Sequence, residues 1–172
     1  SGERPPWLLH RITAHEAGEA GATSFETSRA AFIGRTRTLA AHLTNSGTIA
    51  VNYSLTLSKA GALHQNTGLI ELTGTGTVVT VTGSSFTNQG GDPSGTITGA
   101  GTLDVNGVTF TNHGVMNPTG VMTVSGNYTQ GAGGTLSVGF SGSGADPQFG
   151  MLQVAGTATL AGSLCVSATG FL

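Results

Sequence analysis

Phe110-Thr111-Asn112-His113-Gly114 has two close copies in this chain of 172 residues, at Leu43-Thr44-Asn45-Ser46-Gly47 and Phe86-Thr87-Asn88-Gln89-Gly90. Two looser copies begin at Leu63 and Tyr128, so the copies start 20, 23, 24 and 18 residues apart. Units of this length cannot bury a core alone and are typical of coils that stack on one another. The repeat therefore predicts an all-β fold, a β-solenoid of stacked coils.

A second pattern places a glycine, a spacer and two aliphatic residues separated by one position. Alternate side chains of a strand point to opposite faces, so these aliphatic residues should share one interior. The predicted interior consists of Ile49, Val51, Ile70, Leu72, Val79, Val81, Leu103, Val105, Met122, Val124, Leu136, Val138, Leu152 and Val154. Phe86, Phe110 and Tyr128 should occupy equivalent positions in successive coils.

Two further pairs show the same alternation, Leu55 with Leu57 and Leu164 with Val166. We expect them to add walls to the core, with Cys165 pointing outward between the last pair as an inert thiol. A nucleophilic cysteine would need a cationic neighbour, which the sequence does not place there.

Four asparagines recur at nearly the same offset in the repeat: Asn45, Asn66, Asn88 and Asn112. Two interpretations stay open. Each side chain could bond to its equivalent one rung away, as in the amide ladders of cross-β stacks. Alternatively, each could cap its own turn, a common role of asparagine.

Composition divides the chain near residue 40. Residues 1–40 carry five of the six Lys and Arg residues, whereas 41–172 carry only Lys59 and four acids, Glu71, Asp92, Asp104 and Asp146. We predict a non-repeat segment at 1–40 and the β-solenoid at 41–172. A net charge of −2 gives no electrostatic basis for nucleic-acid binding. No apolar run reaches the roughly 20 residues of a membrane helix.

The sequence predicts no cofactor and no metal site. Cys165 is the single cysteine, which excludes an internal disulfide and a cysteine-based metal cluster, and the five histidines are scattered.

The N-terminal segment carries a capping-box signal, Thr23-x-x-Glu26, before several apolar residues. We expect a short helical or irregular cap, with a helix over about 24–40, because the end of a solenoid exposes apolar interior and unpaired backbone. Gly34 and several threonines count against the helix.

The stretches Phe110–Gly114, Gly126–Gln130, Gly134–Val138 and Leu152–Leu164 resemble the β-helical passenger regions of bacterial autotransporters and haemagglutinin-type surface proteins. The resemblance covers about residues 42–168. It implies a right-handed parallel β-helix displayed outside the cell, either extracellular or at the bacterial surface. Residues 7–35 are faintly similar to a short segment of cyclic β-glucan synthase and cellobiose-phosphorylase-like proteins, without a catalytic motif.

Parallel β-helices with enzymatic activity on polysaccharides need paired carboxylates or a cation on adjacent rungs. Only Asp104 and Asp146 share an offset from their anchors, two rungs or roughly 10 Å apart. Because neither has a nearby Lys, Arg or His in the pattern, we interpret them as solvated acids rather than a catalytic pair.

Repeated Thr-x-Thr pairs suggest a further alternative, an ice-binding face. The aligned pairs would be His42/Thr44, Ala62/His64, Ser85/Thr87, Thr109/Thr111 and Asn127/Thr129, which is not a uniform ladder.

The sequence thus favours a non-catalytic extracellular stalk or adhesin-like display module with no catalytic, cofactor or metal residue. Its partners would be a glycan or cell-surface protein, with end-to-end self-association at its final rungs. The alternatives are a carbohydrate-binding or polysaccharide-processing β-helix and, third, an ice-binding solenoid.

Overall fold

The computed structural model of the protein describes residues 14–16, 23–31, 37–143 and 146–169. Within them, seventeen strands join into one sheet that coils into a parallel β-solenoid of about five turns. The predicted all-β solenoid is confirmed. In chain order the strands are β1 Ala14–Glu16, β2 Thr23–Ala31, β3 Arg37–Leu39, β4 His42–Val51, β5 Leu55–Leu57, β6 Leu63–Asn66, β7 Leu69–Val81, β8 Ser85–Asn88, β9 Thr96–Asp104, β10 Thr109–Asn112, β11 Val115–Ser125, β12 Tyr128–Gln130, β13 Thr135–Ser143, β14 Asp146–Phe149, β15 Met151–Val154, β16 Ala158–Thr159 and β17 Ser163–Ala168.

Each turn of the coil contributes to three faces. The first face stacks the start of β4 on β6, β8, β10, β12 and β16. The second face stacks the end of β4 on the starts of β7, β9 and β11, followed by β13 and β17. The third face stacks β3, β5, the ends of β7, β9 and β11, and β15.

The long strands β7 and β11 bend from the second face to the third. Their pairing registers shift between Thr73 and Val78 and between Pro118 and Met122. At the equivalent bend in β9, Gly99 has φ +106°, and a Cβ there would overlap the carbonyl of Leu72. Only glycine allows this conformation and this close approach.

The interior matches most of the predicted core. Its buried members are Ile49, Val51, Ile70, Leu72, Val79, Val81, Leu103, Val105, Met122 and Val124, and Leu55 and Leu57 join them. Phe86, Phe110 and Tyr128 are buried in one column, with ring centroids 5.3 Å and 5.7 Å apart. This part of the prediction is confirmed, although the glycine-led triplets are divided between the second and third faces.

The predicted core thins towards the last rungs. Leu136, Leu152 and Val154 are half-buried and pack against the core, and Val138 is also half-buried. Leu164 and Val166, which we expected to add a wall, stack in register on Leu136 and Val138 but are 65% and 60% exposed. They pair with β13 on one side only, and no described rung covers the other side.

The helix predicted over about 24–40 is wrong where the structure describes it. Thr23–Ala31 form β2, which pairs in parallel with β4 and in antiparallel with β1. No helix occurs in the described residues. Pairing with β4 satisfies the strand backbone, and threonines and serines give the segment little helix propensity to oppose it. The pairings of β2 with β4 and of β3 with β5 cross the predicted boundary at residue 40.

Candidate functional site

A row of buried amides follows the inner side of the first face. Asn45 donates from Nδ2 to Asn66 Oδ1 at 2.7 Å, and Asn66 donates to Asn88 Oδ1 at 2.8 Å. Asn88 donates in turn to Asn112 Oδ1 at 2.7 Å. All four side chains are fully buried. The ladder interpretation is therefore confirmed, and we call these four residues the asparagine ladder.

The same asparagines also cap their own turns. Asn45 accepts from the Gly47 N–H at 3.2 Å and donates to the Gly47 carbonyl at 3.2 Å. Asn66 and Asn88 donate to the carbonyls of Gly68 and Gly95 at 3.1 Å and 3.0 Å. For Asn45, Asn66 and Asn88 the two interpretations that the sequence left open are both correct, because one amide has enough donors and acceptors for both roles.

The asparagine ladder ends on a tyrosine and a glutamine. Asn112 Nδ2 lies 3.3 Å from the hydroxyl of Tyr128, which donates to Gln130 Oε1 at 3.0 Å. Gln130 then donates to the carbonyl of Ala161 at 2.6 Å. Burial raises the pKa of Tyr128 to about 12, so the phenol stays protonated as a donor. Every buried side-chain nitrogen or oxygen in the described residues has a hydrogen-bond partner, which assigns this row to stability rather than chemistry.

His64 is a buried residue that sequence reasoning placed wrongly. It pairs with Phe86 and so belongs to the column of Leu43, Phe86 and Phe110, whereas the alignment of the internal repeats placed Leu63 there. His64 Nδ1 accepts the Leu43 N–H at 3.1 Å, and Nε2 lies 2.9 Å from the Thr82 carbonyl, to which the neutral ring donates. The ring of His42 lies 6.3 Å away. Alignment of the repeats on their asparagines, with Asn66 at the position of Asn45, would have indicated the correct register.

Desolvation by burial lowers the pKa of His64, and the neighbouring His42 lowers it further. The hydrogen bond to the Thr82 carbonyl partly opposes this shift. Protonation at Nδ1 would set two N–H donors against each other, so the site holds a neutral imidazole.

Asp104 and Asp146, which share an offset in the sequence repeat, do not stack on one face of the coil. Asp104 ends β9 and pairs with Ser125 of β11, whereas Asp146 begins β14, in the antiparallel hairpin with β13. The common offset from the sequence anchors is therefore wrong as a structural register, because the β13–β14 hairpin interrupts the coil. Glu71 and Asp92 are exposed. Among the described residues, no three His, Cys, Asp or Glu side chains cluster as metal ligands.

Cys165 is exposed on β17, between Leu164 and Val166. Because all residues of β17 are exposed, this exposure does not distinguish an outward from an inward position, and the outward position of the thiol stays a prediction.

The outer surface of the first face carries a column of threonines, Thr87, Thr111, Thr129 and Thr159. Towards the N-terminus the column continues through Gln65 to Thr44. The sequence alignment had put His64 in this column, which is wrong by one residue and therefore on the wrong face. The neighbouring column mixes Leu63, Ser85 and Thr109, so the face is not the uniform ladder that ice binding would need.

A groove opens beside this column, at the corner between the third and first faces. It has a volume of about 500 Å³. Its origin is a mismatch of turn lengths: four residues join Asp104 of β9 to Thr109 of β10, whereas two residues join Ser125 of β11 to Tyr128 of β12. The groove lies where the longer turn and the shorter turn are neighbours. This mismatch accounts for two of the six residues by which the repeat spacing falls from 24 to 18. The larger part comes from the turns between the first and second faces, seven residues at 89–95 against two at 113–114.

The lining of the groove is uncharged. Polar groups come from Asn106, Thr109, Asn127 and Thr129. Of the apolar lining residues, Ala155 is exposed, whereas Val105, Val108 and Phe110 are buried beneath the surface. Asn127 Oδ1 accepts the Thr157 N–H at 2.9 Å, which orients the amide so that its NH₂ group is free to point elsewhere. Sequence reasoning assigned no residue to this site.

Comparison of the chain with family models, curated proteins and solved structures finds no significant match. The resemblance to autotransporter and haemagglutinin-type passengers, and that of residues 7–35 to glucan synthase, therefore have no support from these comparisons. In the part of the chain that the structure describes, no helix is long and apolar enough to cross a membrane. The geometry of the solenoid is thus the basis for any functional argument.

Proposed function

We propose that the chain is a non-catalytic structural module, a β-solenoid stalk that displays other parts of a surface protein outside the cell. The observation that carries this proposal is the asparagine ladder running continuously beside the stacked core. Directional hydrogen bonds between successive rungs resist sliding and bending, which apolar contacts alone resist less because they have no direction. A stalk requires this stiffness.

The surface is consistent with display. Apart from Lys59, the described solenoid from residue 41 onward has only scattered acids, and hydroxyls and amides solvate its outer faces instead. Such a surface gives little long-range attraction to charged partners. It suits a module that holds binding partners away from a cell rather than one that captures polyelectrolytes.

Localisation and rigidity are both measurable. We expect an antibody against residues 41–169 to label intact cells of the source organism, and external protease to remove the label. We expect small-angle scattering to give an elongated particle. Labelling only after lysis would contradict display, and a compact particle would contradict the stalk.

The non-catalytic part of the proposal is tested separately. Incubating the protein with neutral and acidic polysaccharides should release no new reducing ends and no unsaturated products. Any such release that Asp104→Ala abolishes would replace the stalk with the polysaccharide-processing alternative.

A further inference from the structure

We infer that the groove between the turns Val105–Val108 and Gly126–Asn127 is a binding site for an uncharged polysaccharide chain. The inference deepens the proposed display role by assigning a ligand class to one corner of the stalk. Display can hold without it, because a stalk serves as a spacer with or without its own ligand.

The polar groups of the groove are available for a ligand. Within the described residues, the side chains of Asn106, Thr109 and Thr129 form no hydrogen bond with the protein, and Asn127 uses its Oδ1 alone. Asn106 and Asn127 present amide donors, while the two threonine hydroxyls donate or accept. Donors and acceptors side by side match the vicinal hydroxyls of a sugar.

The backbone fixes these groups in place. Gly107 has φ +77° in the longer turn, and Gly126 has φ +140° in the shorter one. A Cβ at Gly126 would lie 3.0 Å from the Val105 carbonyl, and one at Gly156 would lie 2.5 Å from Asn127 Oδ1. Glycine thus lets the neighbouring turns pack closely against each other, and this packing fixes the positions of the residues at the base of the groove.

The apolar lining explains why the ligand would be a sugar rather than a small ion. Ala155 presents exposed hydrocarbon surface beside the amides, and the buried side chains of Val108 and Phe110 lie beneath. A pyranose ring has both kinds of surface, C–H groups on its faces and hydroxyls on its edge. Sites for organic ligands combine the same two elements.

Charge restricts the sugar to an uncharged class. No Lys or Arg lines the groove, so nothing there neutralises a uronate or a sulfate. The nearest acid, Asp104, accepts the Asn106 N–H at 3.3 Å, just outside the lining. Its negative charge would oppose an acidic polysaccharide.

Geometry also disfavours an extended peptide. A peptide that adds to a sheet needs a free strand edge. In this corner β10 is paired with both β8 and β12, and β12 is also paired with β16, so these strands offer no free edge. The groove crosses several rungs at about 4.8 Å per rung, which suits a polymer lying along the solenoid axis.

The test is titration of the 172-residue chain with cellohexaose, xylohexaose and mannohexaose, followed by amide NMR and calorimetry. Acidic hexagalacturonate is the charged comparison. We expect at least one neutral hexasaccharide to bind with a dissociation constant of about 1 mM or below, as a few hydrogen bonds allow. Shifted amide signals should belong to the groove, and hexagalacturonate should bind at least tenfold more weakly.

Matched variants locate the site. Thr129→Val removes one groove hydroxyl and keeps the β-branched shape, and Asn106→Ala removes an exposed amide in the turn. Each should weaken binding about three- to tenfold, the loss of one hydrogen bond. Thr87→Val is the control, since Thr87 lies in the same threonine column but outside the groove, and it should leave affinity unchanged.

Four results would overturn the inference: no binding of the neutral sugars at millimolar concentration, preference for hexagalacturonate, equal losses in Thr87→Val and Thr129→Val, or binding untouched by both groove variants. None of these results bears on surface labelling or particle shape. Failure of the groove and failure of the stalk are therefore distinguishable.

Discussion

His64 occupies a position that leucine or phenylalanine fills in the neighbouring rungs. Its ring accepts the Leu43 N–H in place of a backbone carbonyl, and the backbone pairing of β4 with β6 begins only at Thr44 and Gln65. Because burial lowers its pKa, the unfolded chain takes up a proton at a higher pH than the folded chain. A single histidine thus makes stability depend on pH.

The sign of this dependence can be worked out. Stability from neutral His64 is fully present above the ordinary pKa of about 6.5 and is lost as the pH falls below it. The slope for one proton is at most about 1.4 kcal/mol per pH unit. We expect the midpoint temperature of thermal unfolding to decrease as the pH is lowered from 7 to 5.

His64→Phe should flatten this slope, although it also leaves the buried Leu43 N–H without an acceptor and so lowers stability at pH 8 by about 1–3 kcal/mol. His113→Gln is the control, because His113 is exposed. If the slope survived in His64→Phe, the imidazole would not be its source.

Asn88 has both ladder neighbours, and it also donates to the Gly95 carbonyl. Asn88→Ala should therefore reduce the free energy of unfolding by about 2–4 kcal/mol, because it leaves several buried groups unpaired. Asn106→Ala changes an exposed amide and should cost less than about 0.5 kcal/mol. Urea denaturation measures both. Equal decreases in the free energy of unfolding for the two variants would show that the asparagine ladder does not have this structural role.

At the scale of the strand, residues at equivalent positions contribute differently to the free energy of unfolding, because some rungs are covered by neighbouring rungs on both sides and others on one side only. Leu103 and Leu164 both begin an aliphatic, spacer, aliphatic pattern, but they are 1% and 65% exposed. Leu103→Ala should cost about 2–5 kcal/mol as a buried truncation. Leu164→Ala should cost under about 1 kcal/mol, since little apolar surface leaves water there on folding. Chemical denaturation of the pair tests this, and a larger loss in Leu164→Ala would contradict the described end rung.

The strands also show what the sequence could predict. Inward positions such as Ile49 and Leu103 follow from alternation, which is a local property. The inward position of His64 could not be predicted from alternation, because its register depends on a turn whose length differs from the other turns. A shift of one residue moves every side chain of a strand to the opposite face. The helix expected near Glu26 failed for a related reason, since pairing with β4 outweighs a weak local signal.

The groove shows the same limit. Its asparagines and threonines are ordinary turn and strand residues in the sequence. They become a site only because a four-residue turn lies next to a two-residue turn, a relation between rungs that no single repeat contains.

For the whole molecule, we expect the last described rung to govern association. Leu160, Leu164 and Val166 are each at least 60% exposed, on a rung that, among the described residues, is covered on one side only. Exposed apolar side chains beside an unpaired edge promote pairing with another chain. We expect the 172-residue chain to associate end to end as its concentration rises, with sedimentation velocity showing species larger than the monomer.

Val166→Lys should reduce this association, because a charge at the edge disfavours pairing. Thr56→Lys, on the outer side of the third face far from the last rung, is the control and should leave it unchanged. A monomer at millimolar concentration, or equal effects of the two lysines, would show that this end does not mediate contact.

The direction of the asparagine ladder has a consequence for how such a chain changes in evolution. Each of the three bonds between the asparagines runs from the N-terminal to the C-terminal member, so one member can take the place of the next. Removal of one complete turn, residues 89–112, would bring Asn88 to the place of Asn112, facing Tyr128. Loss of half a turn would leave amides facing aliphatic side chains. Duplication and deletion should therefore be accepted in whole turns, so that the length of the rod changes in discrete steps.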